Sequence, residues 1–226
     1  MTIAYFQTLN VPTEAGPDIR ASFREQAVPK LLQHPEINCV SVYATELVDD
    51  PYVDDGAPPE LVVQFNVADL EALATVLADK SVLEQLATPE NATVSSEVFE
   101  VVAYDIEGVA EPAKRTAPLS FNVRYYAPVT DEQHFRDFYV SHHPQILAEL
   151  PGIRNVFCYL PVAPLGASPH PISICILGNE VVFDTLEALN ESMKTAVRPR
   201  LRDDYNAFPV RPGPNSHYAM QRQDFS

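Results

Sequence analysis

The chain has 226 residues, 46% hydrophobic and 20% charged, a balance that supports a packed core and excludes a disordered or collagen-like polymer. Its 31 acidic against 15 basic residues give a net charge of -16, which repels phosphate backbones and anionic lipid, so neither nucleic acid nor a membrane is expected as a partner. With no basic region ahead of an apolar run in MTIAYFQTLNVPTEAG and no 18 consecutive apolar residues anywhere, the protein is expected to be soluble and cytoplasmic.

In chain order, Ile3 to Thr8 alternates as a strand, Asp18 to Gln33 is an amphipathic helix, Ile37 to Glu46 and Leu61 to Val67 are strands, Asp69 to Ala87 is a helix, and Thr93 to Tyr104 is a strand. After EGVAEPAKRTAP, which has the proline, alanine and charge content of a linker, the series repeats. Phe121 to Tyr126 is a strand, Asp131 to Leu150 a helix, Ile153 to Leu160 and Ile172 to Phe183 strands, Asp184 to Asn206 a helix, and Ser216 to Gln223 a strand. The 21 prolines fall mostly between these runs and stiffen the loops.

The halves also align residue by residue. FREQAVPKLLQHPEINCVSVY from Phe23 lies over FYVSHHPQILAELPGIRNVFCY from Phe138, pairing Pro29 with Pro144 and Leu32 with Leu147, and LEAL recurs at Leu70 and Leu186. Strand, helix, strand, strand, helix, strand is the split βαβ or ferredoxin-like unit, an α+β fold with both helices on one face of an antiparallel sheet. Two ferredoxin-like repeats are therefore expected, at residues 1–106 and 119–226 with a linker at 107–118. Each sheet has a bare face, and the two are expected to pack face to face as an intramolecular α+β barrel. Two domains swinging on a flexible linker are the alternative. With the packed barrel the chain would be a monomer with an internal pseudo-dimer, or a homodimer built through the remaining edges.

The stretch FRDFYVSHHPQILAELPGIRNV resembles the signature of EthD-like proteins of the dimeric α+β barrel superfamily: a Phe opening the helix, an aromatic three or four residues on, a His before a short apolar stretch, then Leu-Pro-Gly. These are Phe135, Phe138 or Tyr139, His143, Ile146 with Leu147, and Leu150-Pro151-Gly152. The resemblance implies a small-molecule ligand, often aromatic or polyketide-like, held inside the barrel or at its mouth. It also implies enzymes of several kinds: cyclases, cofactor-free monooxygenases, haem-dependent enzymes, and members with no settled activity. The first repeat departs from the pattern, with Ala27 and Val28 in the places of His142 and His143.

On a helical wheel Phe135, Tyr139, His142, Ile146 and Leu150 share one face, with His143 on its flank beside Tyr139. This makes His142 a core histidine, with a catalytic role as the alternative, and with the resemblance it makes His143 the expected proton-transfer residue, with Tyr139 beside it as a further catalytic candidate. Pro144 removes a helix donor next to both histidines and should loosen that turn. Adjacent histidines cannot readily chelate one metal, so no metal and no cofactor is expected, with haem through a single His as the alternative. Tyr125, Tyr126, Tyr159 and Arg124 are candidate substrate-binding residues, set against ordinary packing for the tyrosines. RPRLRDDY from Arg198 is either an anion-recruiting run or a solvated helix face, and the acidic loop Asp49 to Glu60 lacks the spacing of a calcium loop. Cys39, Cys158 and Cys175, odd in number and set among apolar residues, are expected to be buried free thiols. The function expected is proton transfer on a carbonyl, aromatic or polyketide-like compound in a cyclisation, dehydration or decarboxylation. Oxidation without a cofactor or with haem, or non-catalytic binding in a degradation pathway, are the alternatives.

Overall fold

Asp69, Asp131 and Thr185 each accept a hydrogen bond from the backbone N–H three residues on, and there three of the helices begin. The computed structural model describes residues 2–46 and 58–226, so the acidic loop read from Asp49 lies outside the described residues as far as Ala57. The first half comprises β1 (Thr2–Asn10), α1 (Gly16–Ser22), a π-helical turn (Phe23–Ala27), α2 (Val28–Leu31), β2 (Val40–Glu46), β3 (Leu61–Val67), α3 (Leu70–Ala78), α4 (Lys80–Gln85) and β4 (Thr93–Tyr104). The second comprises β5 (Leu119–Tyr126), α5 (Glu132–Leu147), β6 (Asn155–Pro161), β7 (Cys175–Phe183), α6 (Leu186–Ser192), α7 (Val197–Asn206) and β8 (Asn215–Phe225).

Three of the four expected helices are interrupted, and local chemistry accounts for it. Asp79 is extended, and its carboxylate caps a new start by accepting from Ser81 N–H at 2.7 Å, which divides α3 from α4. α7 restarts just ahead of Pro199, placing that ring in the first turn, where a missing N–H is harmless. In the first half the widened turn Phe23–Ala27 directly precedes Pro29, whose ring would meet the carbonyl four residues back in a regular helix. Its counterpart Pro144 leaves α5 continuous. The carbonyl it releases, Val140 O, accepts instead from the Tyr104 hydroxyl and the Gln145 amide, each at 3.3 Å.

Each half forms one antiparallel sheet, ordered β4-β1-β3-β2 and β8-β5-β7-β6, and the edges join β2 to β8 and β4 to β6. The result is a closed eight-stranded barrel within one chain, with the formerly bare faces lining its interior. Strand alternation divides the packing into three cores. One lies between the first sheet and its helices around Tyr5, Leu31 and Phe65. A second lies between the other sheet and α5 to α7 around Tyr125, Phe135 and Tyr139. The third fills the barrel with Phe6, Tyr43, Phe99, Phe157, Tyr159 and Met220. All three cysteines are free; Cys158 and Cys175 are buried as expected, whereas Cys39 is half-buried.

The barrel interior is not purely apolar. Arg115, from the segment joining the halves, enters one end and donates to Glu180 at 2.9 Å, to the Tyr159 hydroxyl at 2.5 Å and to Gln64 at 3.1 Å. Arg222 also reaches Glu180, at 3.3 Å, and donates to Ser120 at 2.8 Å. Toward the other end Arg124 of β5 pairs with Glu97 of β4 at 3.0 Å. Both clusters tie one half to the other. No helix among the described residues is long and apolar enough to cross a membrane.

Candidate active site

α5 lies on the outer face of the second sheet, and its buried face follows Phe135, Tyr139, His143 and Leu147 at four-residue spacing, with Pro144 buried beside His143. That order corrects the wheel reading. His142 is exposed rather than core: its Nδ1 lies 2.8 Å from Phe138 O and its ring stacks on Phe138 at 4.4 Å. His143 is the inward member of the pair, 8% exposed, and it borders a cleft between β5, β7, β8 and helices α5 and α7. The cleft encloses about 680 Å³ of space, part of it open to solvent.

His143 Nδ1 lies 2.7 Å from Asp204 Oδ2, the Asp204 side chain itself being about 10% exposed. An acceptor carboxylate at Nδ1 fixes the proton there and leaves Nε2 as the nitrogen with a lone pair. Burial lowers the pKa of His143 below its ordinary value; Asp204 pulls it back up, while Arg198 and His217 press it further down. The ring is therefore neutral near pH 7 and able to accept a proton. Arg198, Arg202 and His217 line the same cleft beside Tyr125 and Tyr205, the two arginines placing positive charge there in an acidic protein.

The expected site residues divide between the two faces of the second sheet. Tyr125 faces the cleft. Tyr139 is fully buried behind His143, with ring centres 4.9 Å apart, and its hydroxyl accepts from Asn179 Nδ2. Burial raises its pKa well above the ordinary value, so it stays a neutral phenol packed against the histidine ring. Arg124 and Tyr126 do not join His143: alternation along β5 turns them through the sheet into the barrel, where they border a separate cavity. There Arg124, expected among the substrate-binding residues, pairs with Glu97 at 3.0 Å. Tyr159 is also interior, donating its hydroxyl to Glu180.

Asn179 and His217 are site residues to which the sequence did not point; Arg198, Arg202 and Asp204 lie in RPRLRDDY, for which an anion-recruiting run was one of the two readings. The adjacent Asp203 and Asp204 suggest a solvated face. The usable signal was that Leu201 and Asp204 stand three apart on α7, so one of the two carboxylates shares the buried face. Among the described residues no group of three or more His, Cys, Asp or Glu is placed to hold a metal ion.

No family model matches the chain, and no curated protein matches it in sequence. Solved structures do match in shape. A proposed monooxygenase from Fusobacterium nucleatum superposes with a TM-score of 0.62 at 7% identity, over 98% of this chain and 92% of that one. An anthrone oxidase-like protein gives 0.61 at 13% identity, over 99% and 92%. A proposed monooxygenase from Lactobacillus acidophilus gives 0.56 at 10% identity, over 98% and 93%. The chain shares the α+β barrel fold of these structures, with two ferredoxin-like repeats in one polypeptide. At such identities the likeness carries the fold and leaves the chemistry to the cleft.

Proposed function

We propose that the protein is a small-molecule enzyme in which His143 removes a proton from a carbon acid next to, or conjugated with, a carbonyl group. The observation that carries this reading is the His143–Asp204 contact at 2.7 Å in a cleft, with the ring held neutral. The substrate C–H proton passes to Nε2, Asp204 stabilises the imidazolium that forms, and the charge left on the substrate becomes an enolate oxygen. Arg198 and Arg202, which line the cleft, supply positive charge near that oxyanion. Passing the proton to a β-hydroxyl as it leaves as water would give dehydration, and attack of the enolate carbon on a second carbonyl of the substrate, whose oxygen takes the proton, would give cyclisation; in a decarboxylation the departing carbon dioxide itself leaves the enolate, which then takes a proton from the imidazolium.

Anthrone is a suitable probe: it is an enolisable aromatic ketone, and a structural neighbour is described as anthrone oxidase-like. In D₂O the wild type should speed exchange of its methylene protons above the buffer rate, read by proton NMR. His143→Ala should cut that acceleration by about 10²- to 10⁴-fold. Equal exchange by wild type and variant would sink the assignment of His143. An absorbance spectrum of the purified protein decides the second expectation, since a Soret band would replace this reading with a haem one.

A further inference from the structure

The outer face of the first sheet carries a cavity of about 260 Å³ between β1, α1, the π-helical turn Phe23–Ala27 and α4, open in part to solvent. An engineered core cavity of roughly 150 Å³ accommodates benzene, so a six-membered carbon ring has room here. Leu9, Ile19, Phe23 and Ala27 give it apolar walls. The last two belong to the π-helical turn, a form frequent at functional sites. Pro144, at the position aligned with Pro29, leaves α5 continuous, so a proline alone does not require the widened turn. Alternation along β1 turns Gln7 toward the same side of the sheet as Tyr5 and Leu9, and there it joins the lining at 1% exposure. Gln7 Nε2 donates to Leu86 O at 2.9 Å, and His170 Nε2 donates to the same carbonyl at 2.7 Å. Exchanging the two ends of the amide would set oxygen against oxygen, so Oε1 is the end left over. It has no hydrogen-bond partner among the described residues. A buried amide oxygen left without a donor carries a desolvation cost that a ligand hydroxyl would remove.

We infer that this cavity is a binding site of the first repeat, independent of the role given to His143, and that it takes a neutral aliphatic alcohol with a compact carbon body. Each part of that class answers a group in the wall. The unmatched acceptor of Gln7 suits a hydroxyl, whereas a ketone or an ether would leave it unpaired. Leu9, Ile19 and Ala27 suit a saturated body, Phe23 being the one aromatic ring in the lining among the described residues. Among those residues the one charged side chain in the lining is Glu84, exposed on α4 in a chain of net charge -16, so an anion is repelled. An ammonium group seated at Gln7 would give up its hydration for a single neutral acceptor.

The test follows 4,4-difluorocyclohexanol by fluorine NMR, alongside its methyl ether, which lacks the donor, and 4,4-difluorocyclohexanecarboxylate, which is anionic. Wild type and His143→Ala should bind the alcohol alike, because the cleft lies on the other repeat. Gln7→Leu, close in volume but without the acceptor, should weaken it by about three- to tenfold, the equivalent of one hydrogen bond. The ether should bind more weakly than the alcohol and be indifferent to that change, and the carboxylate should not compete. Should Gln7→Leu fail to fold, Gln26→Trp, at an exposed position of the lining, crowds the mouth without touching the acceptor and should also weaken binding. The proposal is overturned if the alcohol does not bind, if the ether or the carboxylate binds as tightly, if neither first-repeat variant weakens it, or if His143→Ala alone abolishes binding.

Discussion

His143 owes its usefulness to a contest between burial, which disfavours the imidazolium, and Asp204, which favours it; burial prevails. A histidine whose folded pKa is depressed binds fewer protons in the native than in the unfolded chain. This group therefore destabilises the fold as pH drops below the ordinary value of about 6.5, and above that value it has no such effect. The same sign governs activity. The acid limb of kcat/KM should centre below about 6.5, and Asp204→Asn should move it lower still while reducing the plateau at least about tenfold, because the tautomer loses its anchor. A limb that stays in place in Asp204→Asn would show that the carboxylate does not act on the histidine. His142 offers the control: being exposed, it should tolerate alanine with a stability change within about 0.5 kcal/mol in a denaturant melt and no loss of exchange activity.

At the level of helices and strands, much was legible beforehand. β3 and β4 lie where alternation placed them, and the caps at Asp69 and Asp131 are the residues at which the helices were expected to begin. The choice between His142 and His143 was harder, because spacings of three and four are both helical and the wheel admits either register. Tertiary packing settles on the four-residue one through Phe135, Tyr139 and Leu147. Asp204 stands 61 positions from its histidine, and nothing local to either sequence announces their meeting. The same holds for Tyr104 of β4, which answers the carbonyl that Pro144 frees on the opposite repeat. Tyr104→Phe removes that donor and should lower stability by about 0.5–1.5 kcal/mol, measured by urea unfolding, with Gln145 still serving the carbonyl. No change would mean that water or Gln145 replaces it fully.

At the scale of the whole barrel, the joint between halves carries an electrostatic clamp that composition could not reveal, since Arg115 sits in a segment that reads as ordinary linker. Burial would raise the pKa of Glu180, but Arg115 and Arg222, with Ser120 and Tyr159, hold it down to about 2. A depressed carboxylate stabilises the fold above its unfolded value of about 4.5, and that contribution fades as pH falls from there toward 2. Arg115→Ala should cost roughly 1.5–3 kcal/mol near neutrality, less than full loss of a buried pair because Arg222 remains, and should flatten the acid dependence of the melting temperature. An unchanged melting curve would relegate Arg115 to decoration. Expressing residues 119–226 alone should give a self-associating species by light scattering, because β6 and β8 would become open edges and the interior face would meet water.

A barrel made from two identical polypeptides must repeat every substitution in its mirror position. Here the counterpart of His143 in the aligned repeat is Val28, a buried core residue, so the two sides have been free to drift apart. One copy can keep a reactive pocket while the other specialises as its support: the cavity at the corresponding place in the first repeat, beside Phe23 and Ala27, has no histidine in its lining. Saturation of the cleft should therefore occur at one molecule per chain along a simple hyperbola, whatever the ligand proves to be.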